Sequence, residues 1–200
     1  NSGATEYAGF VNEFAGESVN MDSSNLVVSD LQQTSGYSPY ALDFDGITEY
    51  LKTATIPAST NTVTLSAWVK RTGATGPYAG VFGVRNTGGA PNYGLSWQLC
   101  FLSTTNKIQM RFGETVGTVY KTITQDTAMI DNTWTHVVGV ADGTNVYLYI
   151  NGILQSDTTT YNGNLQNATS NIHFAAQGHS GTNAFNGQLS NCARWNIGLT

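Results

Sequence analysis

Residues 134–155 constrain the fold of this chain more than any other stretch. Asp142-Gly143 separates the run 135–141 from the run 144–150, and Asn151-Gly152 separates the latter from 153–155. Asp-Gly and Asn-Gly pairs tolerate the positive φ angles of two-residue type I′ turns, so the segment reads as a three-stranded antiparallel meander. Within it Val146, Leu148 and Ile150 share one face, and Tyr147 and Tyr149 share the other. Residues 62–71 repeat the pattern: Val63, Leu65, Ala67 and Val69 alternate with Thr64, Ser66, Trp68 and Lys70. A period of two means that one face of a sheet is buried, and these seven apolar residues are the expected core.

Further strands are expected at 40–44, 79–84, 93–101, 108–112, 115–122, 171–176 and 185–195. The composition agrees. Charged residues make up 10% of the 200, against a usual ~25%, and 27 Thr, 19 Asn, 15 Ser and 22 Gly take their place. Surface helices lean on Glu, Lys, Arg and Ala, so an all-helical fold is excluded. About a dozen short strands in one domain imply two packed antiparallel sheets, a jelly-roll sandwich. Residues 1–38 are weakly patterned and read as an extension or linker packing on a domain spanning 39–200.

The charge balance narrows the partners. The net charge is −5 and the eight basic residues are dispersed, which does not suit a surface that tracks phosphates, so no nucleic-acid partner is expected. No apolar run is long enough for a membrane-spanning helix. Asn1-Ser2-Gly3 is neither an initiating methionine nor a signal peptide, and the chain is expected to be a piece of a longer polypeptide. Cys100 and Cys192 lie far apart in sequence, which leaves their pairing open. Cys192, inside an alternating run, reads as a buried thiol.

Four segments, in order, carry a resemblance. Ala41-Leu42-Asp43-Phe44-Asp45-Gly46 with Glu49-Tyr50-Leu51, the strand from Val63 to Lys70, Trp134-Thr135-His136-Val137-Val138 with Val146 to Gly152, and Phe185-Asn186-Gly187-Gln188-Leu189 through Trp195-Asn196 resemble the concanavalin A-like, laminin-G-like jelly rolls. Residues 24–40 are similar to stretches of laminin-G-like domains in phage and viral structural proteins. The resemblance implies a concanavalin A-like sandwich, but this fold hosts lectins, adhesion domains and enzymes alike. Some relatives bind calcium, a hard cation taking oxygen ligands. Asp45 and Asn191 are the candidate ligands of a structural Ca²⁺, although Leu189-Ser190-Asn191 stands where the family often has carboxylates, and the other reading of Asp45 is a cap on a turn at Gly46.

Catalysis finds no pattern. Glycosidases of this architecture need paired carboxylates across a cleft, and the five Glu, at 6, 13, 17, 49 and 114, form no such array. His136 and His173 sit in strand patterns and read as packing residues. Sugar binding fits better, since aromatic rings stack on sugar faces and amides bond hydroxyls. The Gly-rich loop after residue 72 offers Tyr78, Arg85, Asn86 and Tyr93, the next strand offers Trp97, and the loop near 177–183 offers His179. Arg85 would favour an acidic sugar through a bidentate carboxylate contact. The expectation is a non-catalytic glycan-binding or adhesion module outside the cell or on a virion. The alternative is a structural decoration or fibre domain contacting other subunits of a larger assembly.

Overall fold

The alternation at 63–70 becomes the middle of a sheet in the computed structural model. The structure describes residues 21–24, 31–32, 40–56, 61–73, 76–85, 95–114, 120–161, 165, 170–177 and 183–199. Fifteen strands run through them: β1 Met21–Ser24, β2 Leu31–Gln32, β3 Ala41–Asp45, β4 Tyr50–Ile56, β5 Val63–Arg71, β6 Tyr78–Arg85, β7 Leu95–Leu102, β8 Lys107–Gly113, β9 Tyr120–Thr124, β10 Thr135–Ala141, β11 Asn145–Ile150, β12 Ile153–Leu154, β13 Thr159–Thr160, β14 Ser170–Phe174 and β15 Asn186–Trp195. No helix occurs among the described residues, and no helix there is long and apolar enough to cross a membrane.

The strands form two antiparallel sheets. One has the order β1-β4-β14-β6-β7-β8-β9, and the other β12-β11-β10-β5-β15-β3-β2 with β13 beside β11. This is the jelly-roll sandwich expected. Two short segments before residue 39 join the sheets, β1 on β4 and β2 on β3. Between the sheets, Val63, Leu65, Ala67, Val69, Val146 and Leu148 are fully buried, and Ile150 packs against them partly buried. The other sheet contributes Phe82, Val84, Trp97, Leu99, Phe101, Ile108, Met110, Phe112, Ile172 and Phe174. Phe82 stacks on Phe174 at 5.6 Å, and Phe101 stacks on Phe185 at 5.8 Å.

Several expectations change in detail. Asn151 and Gly152 both have positive φ, 49° and 79°, as a type I′ turn requires. The first turn is shifted by one residue: Asp142 donates its N–H to the Asn145 carbonyl at 3.1 Å, with Gly143-Thr144 between them. The Asp142 carboxylate accepts the N–H groups of Thr144 and Asn145 at 2.8 and 2.7 Å, which draws Thr144 out of the strand into the loop. The strand expected at 171–176 stops at Phe174, because Ala175 takes a φ of 60° and the chain bends back. Of the strand expected at 115–122, residues 115–119 lie outside the described residues and pairing runs on to Thr124. Cys100 and Cys192 are buried thiols in different sheets, with no disulfide between them. Burial pushes the Cys192 thiol pKa up strongly.

Candidate functional site

Register and burial divide the side chains of the first sheet. Along β7 and β8, Trp97, Leu99 and Phe101 pair with Phe112, Met110 and Ile108, and all six point into the core. The intervening pairs, Gln98 with Arg111 and Cys100 with Gln109, therefore point to the outer face. Outward-facing sheet residues are ordinarily solvated. Here they are covered: Gln98 is 1% exposed, Arg111 5% and Gln109 8%. An outer face normally free of core thus holds a dense polar layer.

The chain after β14 helps to build that layer. Ala175 donates its N–H to the Val81 carbonyl at 2.8 Å, and Gly80 donates to the Asn183 carbonyl at 3.0 Å. This pins residues 175–177 across β6 at Gly80, where a Cβ would stand 2.4 Å from the Ala176 carbonyl oxygen. Only glycine admits so close an approach. Gln177 then reaches Gln98 through an amide hydrogen bond of 3.4 Å, and the Asn183 side chain donates to Gln177 Oε1. Gln109 donates to Thr124 Oγ1 at 2.8 Å.

Arg111 lies in this layer with two tyrosines against its guanidinium. Its Cζ is 4.3 Å from the Tyr78 ring centre and 4.5 Å from that of Tyr120. Its Nε is buried without a hydrogen-bond partner, and no carboxylate among the described residues pairs with it. Each cation–π contact contributes about 0.5–2 kcal/mol, whereas a buried unpaired ion costs several. Among the described residues the cation is under-compensated.

The expected site residues scatter. Tyr78 is in the layer. Trp97 is on the wrong face: it is 0% exposed, packs edge-on against Phe82 and lies beneath Arg194. The period of two turns its neighbour Gln98 outward and Trp97 inward, so its ring has no free surface for a sugar. The backbone of Arg85 ends β6, its side chain lies outside the described residues, and so do Asn86, Tyr93 and His179.

The calcium pairing is also corrected. Asp45 pairs across the sheet with Asn186, and Asn191 is five residues further along β15, about 16 Å away at ~3.3 Å per residue. Asp45 caps the turn instead. Its Oδ1 accepts N–H groups of Ile47, Thr48 and Glu49 at 2.7, 2.9 and 3.2 Å, and Gly46 takes a φ of 72°. Partial burial raises the Asp45 pKa, but these bonds and that from the Thr48 hydroxyl outweigh it and leave it lowered. No group of three or more His, Cys, Asp or Glu suited to a metal occurs among the described residues.

The second sheet has a different outer face. Trp68 and His136 stack at 5.0 Å, His136 Nε2 lies 2.8 Å from Ser66 Oγ, and Tyr149 pairs with Val138 and Leu154. Both histidines act as packing residues, as their strand positions implied: desolvation lowers the His136 pKa, and His173 is buried with its ring 6.4 Å from that of Tyr50.

Sequence reasoning passed over Arg111, Gln98, Gln109, Tyr120 and Gln177 because it looked for binding residues in loops. The available signal was the alternation of Lys107, Gln109 and Arg111 with Ile108, Met110 and Phe112, which sets the polar set on the outer face.

The two sheets and their connections define a jelly-roll sandwich of lectin-like architecture. The chain belongs to the concanavalin A-like lectin/glucanases superfamily, whose sequence profile matches residues 45–200. A comparison with curated protein sequences returned no match. Among solved structures, domain 4 of AbnA, a GH43 extracellular arabinanase from Geobacillus stearothermophilus in complex with arabinotriose, is similar at a TM-score of 0.64 and 15% identity, over 91% of this chain and 84% of that one. The binding domain of Paraclostridial Mosquitocidal Protein 1 has a TM-score of 0.67 at 16% identity, over 92% of this chain. The botulinum neurotoxin serotype G binding domain has a TM-score of 0.65 at 13% identity, over 93% of this chain. This chain spans 46% and 45% of those two toxin chains. At such identities the likeness establishes the fold.

Proposed function

We propose that this domain is a non-catalytic glycan-binding module working outside the cell, with its site on the outer face of the first sheet. The observation that carries the reading is the cluster of Tyr78, Tyr120, Gln98, Gln109 and Arg111: aromatic rings, amides and a cation gathered where the fold needs no core. Rings of this kind stack on sugars and amides bond their hydroxyls. The likeness to an arabinanase domain holding arabinotriose supports it.

The non-catalytic part rests on how the carboxylates are used. Asp45 and Asp142 cap turns, Asp131 pairs with Arg71, Glu114 with Lys121, and Asp126 and Asp157 hold the N–H groups of Ser156 and Thr124. Carboxylates committed in this way are poor candidates for an acid–base pair. A glycan array probed with the whole chain tests the reading. At least one glycan class should bind, and Tyr78→Ala and Tyr120→Ala should each weaken it about tenfold while far-UV circular dichroism stays native. Binding to no glycan at high protein concentration would sink it.

A second reading is favoured by the other outer face, where Tyr149, Val138 and Leu154 are neighbours and Leu154 is 48% exposed. Such a strip suits contact with another subunit, as in a decoration or fibre domain of a virus particle. Sedimentation of the chain and of Leu154→Lys would separate them, with a monomer in both cases counting against assembly through this strip.

A further inference from the structure

The geometry points to Arg111 as the anchor for an anionic group on a sugar, either a carboxylate or a sulfate ester, which makes acidic glycans the ligand class; this rests on the glycan-binding reading above. The comparison that carries it is internal. Arg71 and Arg194 are buried cations that also lie over aromatic rings, Phe101 at 5.6 Å and Trp97 at 5.2 Å. Each has an oxygen partner: Asp131 meets Arg71 at 2.7 Å, and Asn196 accepts from Arg194. The Nε atoms of both Arg111 and Arg194 are buried and unbonded, but only Arg111 has rings and no oxygen partner at all among the described residues.

The chain does not lack anions, since its 13 acidic residues outnumber its eight basic ones. Glu114, three positions on, is taken by Lys121 at 3.0 Å. A buried guanidinium left without a counter-ion is costly unless a ligand supplies one. Nε and a terminal nitrogen of a guanidinium form a planar edge that matches two oxygens of one anion. Gln98 lies directly across from it and Gln109 two positions before it on β8, both covered, with their amides bonded to Gln177 and Thr124. Access runs past Tyr120, the first residue of the edge strand β9, whose side chain is at the surface, 39% exposed.

The test uses the ¹⁵N-labelled full chain and the Nε–H resonance of Arg111, assigned by its loss in Arg111→Lys. Glucuronate, glucose 6-sulfate, glucuronate methyl ester and glucose are titrated in turn. The resonance should move with glucuronate or glucose 6-sulfate, and the larger response identifies the anion. It should stay in place with the ester and with glucose. No movement with either anion, or equal movement with glucose, overturns the inference. On an array, acidic glycans should bind at least tenfold more tightly than their neutral counterparts, and Arg111→Met should abolish that preference. The same variant should melt no lower than the parent, because it removes an uncompensated charge; a lower melting temperature would mark Arg111 as a structural cation and overturn the proposal. Equal binding of acidic and neutral glycans overturns the anchor role and leaves the glycan reading standing. Binding of neither overturns both.

Discussion

The indole of Trp97 meets Phe82 at a ring separation of 6.5 Å and an angle of 73°, with Arg194 over its other contact surface at 5.2 Å. Its role is packing. Trp97→Ala should cost about 3–5 kcal/mol in urea unfolding, as truncation of a large buried aromatic does; a loss below about 1 kcal/mol would mean that the ring is not in the core. His136 supplies a pH dependence. Desolvation lowers its pKa from 6.5, so between the folded value and 6.5 the unfolded chain binds a proton that the folded chain refuses. The stability it contributes is complete above 6.5 and falls as the pH drops below it. Asp45 and Asp126, held below 3.8, lose their contribution only at more acid pH. Melting at about pH 7.5 and 5.5 should therefore show a lower midpoint on the acid side, and His136→Gln should reduce the difference. An equal drop in both proteins would assign the effect to another group.

At the scale of elements, two glycines separate a conformational demand from a steric one. Gly152 sits at a φ of 79° with nothing within 4 Å of where a Cβ would go. Gly152→Ala should thus cost only the strain of a left-handed residue, about 1–2 kcal/mol, with the β11–β12 turn otherwise intact. Gly80→Ala is different, because its Cβ would strike the Ala176 carbonyl and the Gln177 backbone. Residues 175–177 must move, which pulls Gln177 from Gln98. We expect Gly80→Ala to destabilise by about 1–3 kcal/mol and also to weaken glycan binding, whereas Gly152→Ala leaves binding unchanged. Equal affinities for both variants would disconnect this segment from the site.

At the scale of the whole molecule, one core joins both sheets. Leu148 on β11 and Leu99 on β7 are both fully buried in it. Leu148→Ala should destabilise by about 2–5 kcal/mol. Because most β-strand partners here are distant in sequence, unfolding should remain one transition by both tryptophan fluorescence and circular dichroism. Two separate transitions would show that the sheets fold apart.

Alternation and turn chemistry are local properties, so the sequence by itself determined the all-β class, the inward faces of β5 and β11 and the Asn151-Gly152 turn. Each depends on residues within a few positions of one another. The strands at 21–24 and 31–32 escaped because such short segments carry too few residues to show a period, and their pairing with β4 and β3 is made by distant partners. The site is tertiary for the same reason. That Tyr78 from β6 and Tyr120 from β9 meet Arg111 from β8 follows from the strand order β6-β7-β8-β9, and that Gln98 is covered follows from the bend at Ala175. Nearness to the Gly-rich loop made Trp97 a candidate binding residue, but a strand gives each side chain one face only, and the register placed this ring in the core. The alternation of residues 107–112 already set Arg111 on the outer face; only the packing of three strands left it buried without an anion among the described residues.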